Sequence, residues 1–152
     1  MSASPVLFDA NVWLALAFDT HPNHRSAVTA FQSTTPARPA VFCRSTQQSF
    51  LRLASQPAVH RLCDAVGLTN RDALAMLAGF MASPSVAYRD EPPGVEAVWH
   101  GLAGLPSASP HVWMDAYLAA FAIAGRLDLM TFDRGFSQFA GLSVTFLPAV
   151  NP

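Results

Sequence analysis

Five short runs able to form strands recur along the chain, at Val6–Phe8, Ala40–Cys43, Ser85–Tyr88, Leu127–Thr131 and Ser143–Leu147. Their near-continuous apolar character, without polar alternation, is the mark of strands buried on both faces. Helix-length segments separate the first four. Strands alternating with helices in this order predict an α/β fold with a mainly parallel central sheet of about four to five strands.

The intervening segments carry their own signals. Asn11–Phe18 follows the first strand directly and reads as a helix, with Asp9 at the junction. Asp19-Thr-His-Pro-Asn-His24 supplies turn and cap chemistry before a helix that aligns Ala27, Val28 and Phe31. Ser45 and Gln48 have capping-box spacing, which predicts a helix beginning near Thr46. Thr69 and Asp72 repeat that signal before Leu74, Leu77, Ala78 and Met81, spaced as an amphipathic helix. A short helix is expected around Val95–Leu105, after Pro92-Pro93. Val112–Ala124 is apolar on every side, as a helix buried between layers would be, and Gly125 reads as its stop. With 152 residues and no repeat, the chain is expected to form one domain over residues 1–152.

All nine basic residues are Arg, against ten acidic ones, for a net charge of −1. The absence of Lys excludes Schiff-base catalysis and a Walker-A phosphate clamp. The near-neutral total argues against holding nucleic acid by bulk positive charge. The opening residues show no secretory signal, and the apolar windows are too short to span a membrane. Cys43 and Cys63 offer no CxxC spacing and read as buried free thiols. A cytoplasmic protein is expected.

Asp9 follows the first strand and Asp133 a late one, and the C-terminal ends of parallel strands share one edge where ligands bind. Asp115 opens the buried helix just before that late strand and can face the same edge. Three carboxylates in a dehydrated crevice repel one another unless a cation lies between them. Hard oxygen donors suit Mg²⁺ or Mn²⁺, the usual apparatus for phosphodiester hydrolysis. Singly, each Asp also fits a cap, a turn or a helix's first turn; their joint placement favours the metal site.

Four segments resemble those of PIN-domain ribonucleases, and within them the VapC-type toxins of bacterial toxin–antitoxin modules. They are Val6-Leu-Phe-Asp9-Ala-Asn11-Val-Trp-Leu-Ala-Leu16, Thr46-Gln-Gln-Ser-Phe-Leu-Arg52-Leu53, Met114-Asp115-Ala-Tyr-Leu-Ala-Ala-Phe-Ala122 and Leu129-Met-Thr131-Phe-Asp133-Arg-Gly-Phe136. The Asp19–His24 stretch recurs as well, so the resemblance covers almost the whole chain. It implies a three-layer PIN-like fold and a Mg²⁺- or Mn²⁺-dependent endoribonuclease. It also implies a VapB-type antitoxin as partner and a homodimer. Asp9, Asp115 and Asp133 carry over as the catalytic, metal-holding acids, with Asn11 and Thr131 as supporting residues.

One position departs from the family: where many PIN domains have a Glu, this chain has Gln47. An amide oxygen can accept a hydrogen bond or ligate weakly but brings no charge. Gln47 therefore stands either as a supporting residue or as a solvated residue of a helix's first turn. It also leaves a second reading open, a catalytically weak PIN-like module that binds RNA or protein. A haloacid-dehalogenase-type phosphatase ranks below both, because Asn11 stands where that class needs a second Asp.

Arg44, Arg52 and Arg134 lie near the proposed edge and could contact phosphates, with Arg44 and Arg134 the candidate RNA contacts. For Arg52 the alternative, a surface guanidinium over a packed stem, is preferred. His60, His100 and His111 receive no role, and Trp13, Trp99 and Trp113 read as core or interface. Two divalent ions among three carboxylates would make the edge slightly positive, whereas one would leave it negative. An RNA substrate then rests on metal and a few Arg, with a shallow salt dependence.

Overall fold

A computed structural model describes residues 3–65 and 67–150. Its centre is a sheet of five parallel strands, β1 (Val6–Phe8), β2 (Ala40–Phe42), β3 (Val86–Tyr88), β4 (Asp128–Thr131) and β5 (Val144–Phe146), in the order β3-β2-β1-β4-β5. All five expected strands form.

Parallel neighbours need crossover connections, and these supply the covering layers. Helices α1 (Ala10–Ala17), α2 (His24–Gln32), α3 (Arg44–Ala54), α4 (Pro57–Leu62) and α5 (Asn70–Met81) lie between β1 and β3 in sequence. Helices α6 (Val95–Ala103) and α7 (Val112–Gly125) lie between β3 and β4. The alternation of side chains along each strand divides the interior in two. Val6, Phe8, Ala40, Phe42 and Met130 join the core built with α1, α2, α3 and α5. Leu7, Val41 and Leu129 join the one built with α6 and α7. Three layers result. In the first core Trp13 is fully buried and stacks on Phe42 with ring centroids 3.8 Å apart.

Several local expectations are corrected. The capping box of α3 joins Cys43 to Thr46 rather than Ser45 to Gln48, with the Cys43 amide donating to Thr46 Oγ1 at 3.0 Å. The chain leaves β2 in extended form through Cys43, so the helix starts two residues earlier than its side chains suggest. Helix α4 was not expected; Pro57 at its first turn is the signal for it. Asn23 precedes α2 without a side-chain cap and instead accepts from the Val150 amide at 2.8 Å. Leu74 is 55% exposed, so the buried stripe of α5 is narrower than its spacing implies. Helix α7 is buried at Ala116 and from Leu118 to Ala122, whereas Trp113 and Met114 in its first turn are exposed.

Gly125 belongs to α7, and Arg126 takes the left-handed cap at φ 55°, where its amide and that of Leu127 reach back to Ile123 and Ala122. A side chain in that conformation costs about 1–2 kcal/mol that glycine escapes. Arg126→Gly is therefore expected to raise stability by up to about 1 kcal/mol after the unfolded-state entropy of glycine is deducted. Urea unfolding will measure it.

Candidate metal centre

The sheet changes winding direction at β1: the chain moves outward through β2 and β3, then returns to the other side of β1 for β4 and β5. The connections leaving β1 and β4 therefore diverge, and a crevice opens at the carboxyl ends of these two strands. Asp9 and Asp133 lie just beyond those ends.

Each acid is held by local backbone. Asp9 caps α1, its Oδ1 accepting from the Ala10 amide at 2.7 Å. Asp133 caps the single 3-10 turn Arg134–Gln138, its Oδ1 accepting from the Gly135 amide at 2.8 Å. A Cβ on Gly135 would lie 3.0 Å from that oxygen, so the approach suits glycine. Asp115 stands in the first turn of α7, where the helix dipole favours an anion.

Thr131, fully buried at the end of β4, joins the two strand ends. Its hydroxyl donates to Asp9 Oδ2 at 2.7 Å and accepts from the Asp133 amide at 3.0 Å and from Asn11 Nδ2 at 3.4 Å. Asn11 Oδ1 in turn accepts from the Phe132 amide at 3.4 Å. The two residues assigned supporting roles thus tie the Asp9 and Asp133 loops together.

Asp9, Asn11, Asp115 and Asp133 line one cleft of about 410 Å³. Burial pushes the Asp9 carboxyl up from 3.8 to about 6, against the lowering effect of Thr131 and Ala10, with Asp115 and Asp133 raising it further. Burial also raises Asp115, and Asp133 adds to that. Among the described residues none of the three has a cationic side chain at ion-pair distance; the ion pair found there joins Arg38 to Asp128.

Gln47, Arg44 and Arg134 do not line this cleft. Gln47 is buried beneath α3 rather than solvated; its Oε1 accepts from Arg44 Nη1 at 2.6 Å and its Nε2 faces Met81 Sδ at 3.9 Å. Arg44 lies over the Tyr88 ring and Arg134 over Phe146. Conversely, Ser45, Ser49, His111 and Met114, none given a site role from sequence, do line it, and so does Arg52, for which the sequence favours a surface role over a phosphate contact. The 45/49/52 spacing, one face of a helix, is the signal that could have found three of them.

Among the described residues no three acidic, His or Cys side chains close into a preassembled cage. The donors still suit a hydrated hard cation, which takes one or two carboxylates and keeps several waters. Three carboxylates and the Arg52 guanidinium leave two net negative charges on the lining. One divalent cation would cancel them, which corrects the sequence-based count made without Arg52.

Residues 6–142 match the PIN domain model, and the chain belongs to the PIN-domain family. Within that family its similarity is to the VapC ribonucleases. Ribonuclease VapC41 of Mycobacterium tuberculosis is 41% identical over 143 residues, covering 93% of this chain and 98% of that protein. Ribonuclease VapC31 of the same species is 29% identical over 137 residues, covering 90% and 94%. Two solved structures share the fold. VapBC2 from Rickettsia felis, bound to a promoter DNA fragment, aligns with a TM-score of 0.66 at 12% identity, covering 94% of this chain and 98% of that one. Mycobacterium tuberculosis VapC20, a Sarcin-Ricin loop cleaving toxin, aligns with a TM-score of 0.61 at 19% identity, covering 94% and 99%. The donor set accords with the divalent metal that ribonucleases of this family use.

Two outcomes are expected. Thr131→Val leaves the Asp133 and Asn11 donors without their acceptor and lowers stability by about 1–3 kcal/mol, while Thr131→Ser restores most of it, as urea unfolding will show. The Asp9 carboxyl, raised in the folded chain, binds its proton more tightly folded than unfolded, so its ionisation removes stability as pH rises from about 4 through about 6. In chelator, Asp9→Asn is expected to gain on wild type by on the order of 2 kcal/mol between pH 4 and pH 7.5.

Proposed function

We propose that the chain is a Mg²⁺- or Mn²⁺-dependent endoribonuclease, the toxin of a VapBC-type module. The observation that carries this reading is the set of three carboxylates, without cationic partners among the described residues, lining one cleft at the sheet's switch point. Asp9 and Asp115 would hold the cation, with Asp133 completing the cluster. Bound there, the cation supplies charge stabilisation at the phosphoryl oxygens and lowers the pKa of water.

The chain's own residues set the geometry. Thr131 and the Ala10 amide hold the Asp9 oxygens in place, and Asn11 buttresses Thr131. A strand of RNA would pass the first turn of α7, where water attacking the phosphorus in line would displace the sugar oxygen opposite it, one P–O bond forming as the backbone P–O bond breaks and the water's proton ending on the released hydroxyl. A VapB-type antitoxin is the proposed partner that silences the site, and a homodimer the proposed assembly. Exposed Leu62, Leu74, Trp113 and Met114 offer apolar surface for such contacts. Among the described residues no helix is long and apolar enough to cross a membrane; a cytoplasmic setting belongs to the proposal.

One observation favours a second reading, a module that binds RNA or protein without cutting. Gln47 brings no charge, and its amide oxygen is engaged by Arg44 rather than lining the cleft. Titration with Mn²⁺ separates the two, since only a metal-dependent nuclease requires uptake at the Asp cluster.

Asp9→Asn and Asp115→Asn are each expected to lower metal-dependent RNA cleavage by at least a hundredfold while leaving the far-ultraviolet circular dichroism unchanged. Undiminished cleavage by both purified variants would refute the assignment.

A further inference from the structure

Ser45, Ser49 and Arg52 occupy positions i, i+4 and i+7 of α3, and all three line the acidic cleft. They form one wall; His111, Met114, Asp115 and Leu118, at the start of α7, contribute to another. The α3 stripe is made of two hydroxyls and a guanidinium, groups that contact phosphate and sugar oxygens without reading bases. Ser45 stands in the first turn of α3, just beyond β2, and Arg52 in its last. Seven residues of helix rise about 10 Å, long enough to lie along more than one nucleotide of a strand.

Arg52 is exposed and has no ion pair among the described residues, although it shares a cleft with three carboxylates. Its five N–H donors are thus available to a ligand, and their planar fork matches a phosphate. Arg44 and Arg134, by contrast, are engaged over aromatic rings. Arg52 also borders a second groove lined by Leu51, Ser55, Ala73 and Leu74, which gives its aliphatic stem a surface to lie on. The surface-stem reading of the sequence and a role in the cleft are therefore compatible.

We propose that Arg52 binds a phosphate of the RNA strand other than the one cleaved, with Ser45 and Ser49 contacting the same backbone. Helix α3 then acts as a rail that holds the strand in register over Asp9, Asp115 and Asp133. This rests on the ribonuclease reading above and adds to it the residues that position the substrate.

The test uses purified full-length protein with Mg²⁺ and a labelled mixed-sequence single-stranded RNA, cleavage being read in the otherwise wild-type chain and binding in an Asp115→Asn background that keeps the strand uncut. Arg52→Ala is expected to weaken binding of the RNA about five- to tenfold in that background. It should also reduce the slope of log affinity against log salt by about 0.7, the value of one lost phosphate contact on a single strand. In cleavage KM rises by a similar factor while kcat changes less than threefold. Arg52→Lys keeps the charge and restores the salt slope, with only part of the affinity, because the bidentate fork is gone. Arg61→Ala, an exposed α4 residue outside the cleft, serves as the control and matches wild type. Wild-type affinity and slope in Arg52→Ala, in a protein whose wild type binds and cuts, would overturn this inference alone. Failure of the wild type to bind or cut RNA would overturn the functional reading along with it.

Discussion

The pairing of β1 with β4 is the contact on which the rest of the architecture turns. Val6, Leu7 and Phe8 register with Asp128, Leu129 and Met130, and the Asp9 amide extends the ladder by donating to the Met130 carbonyl at 3.0 Å. These strands are distant in sequence, so their pairing closes a long stretch of chain at an entropic cost. It also reverses the winding of the sheet, and a reversal leaves the loops at the carboxyl edge diverging. The fold and the cleft thus have one origin, and a short strand on each side of it suffices.

Placing acids at that edge sets burial against charge. Asp9 caps α1 and accepts two hydrogen bonds, which favour its charged form, yet burial outweighs both and lifts its pKa to about 6. Asp115 is raised by the same cause, with Asp133 adding repulsion. A structural network would place a guanidinium among such groups to neutralise them. Here Arg52 shares the cleft but pairs with none of them, so the site keeps an unmet demand for positive charge. A divalent cation answers that demand, and the rigid Thr131–Asn11 bridge keeps the carboxylates from moving apart in its absence.

The arginines show how a near-neutral chain serves a polyanion. Arg44 braces Gln47 and stacks on Tyr88, Arg134 covers Phe146, and Arg38 pairs with Asp128. Each is engaged within the protein. Among the described residues Arg52 is the one arginine that lines the cleft, so a polyanion there is left to the metal and to very few side chains.

The amino-acid sequence by itself determined the layers, the five strands and the acidic residues of the edge. These are local properties: unbroken apolar runs, helical spacing, and an Asp stationed immediately after a strand. The resemblance to PIN domains added what spacing could not, RNA as the substrate of the metal chemistry those acids already suggested, and supporting roles for Asn11 and Thr131. Tertiary structure decided which side chains share the cleft. Ser45, Ser49 and Arg52 enter it because they share the face of α3 opposite the buried Gln47, Phe50 and Ala54. Gln47 turns away because position 47 lies on that buried face, against Met81 of α5. Turning by about 100° per residue groups side chains by face in the sequence alone, but which face meets the cleft is set by how α3 packs on the sheet and on α5.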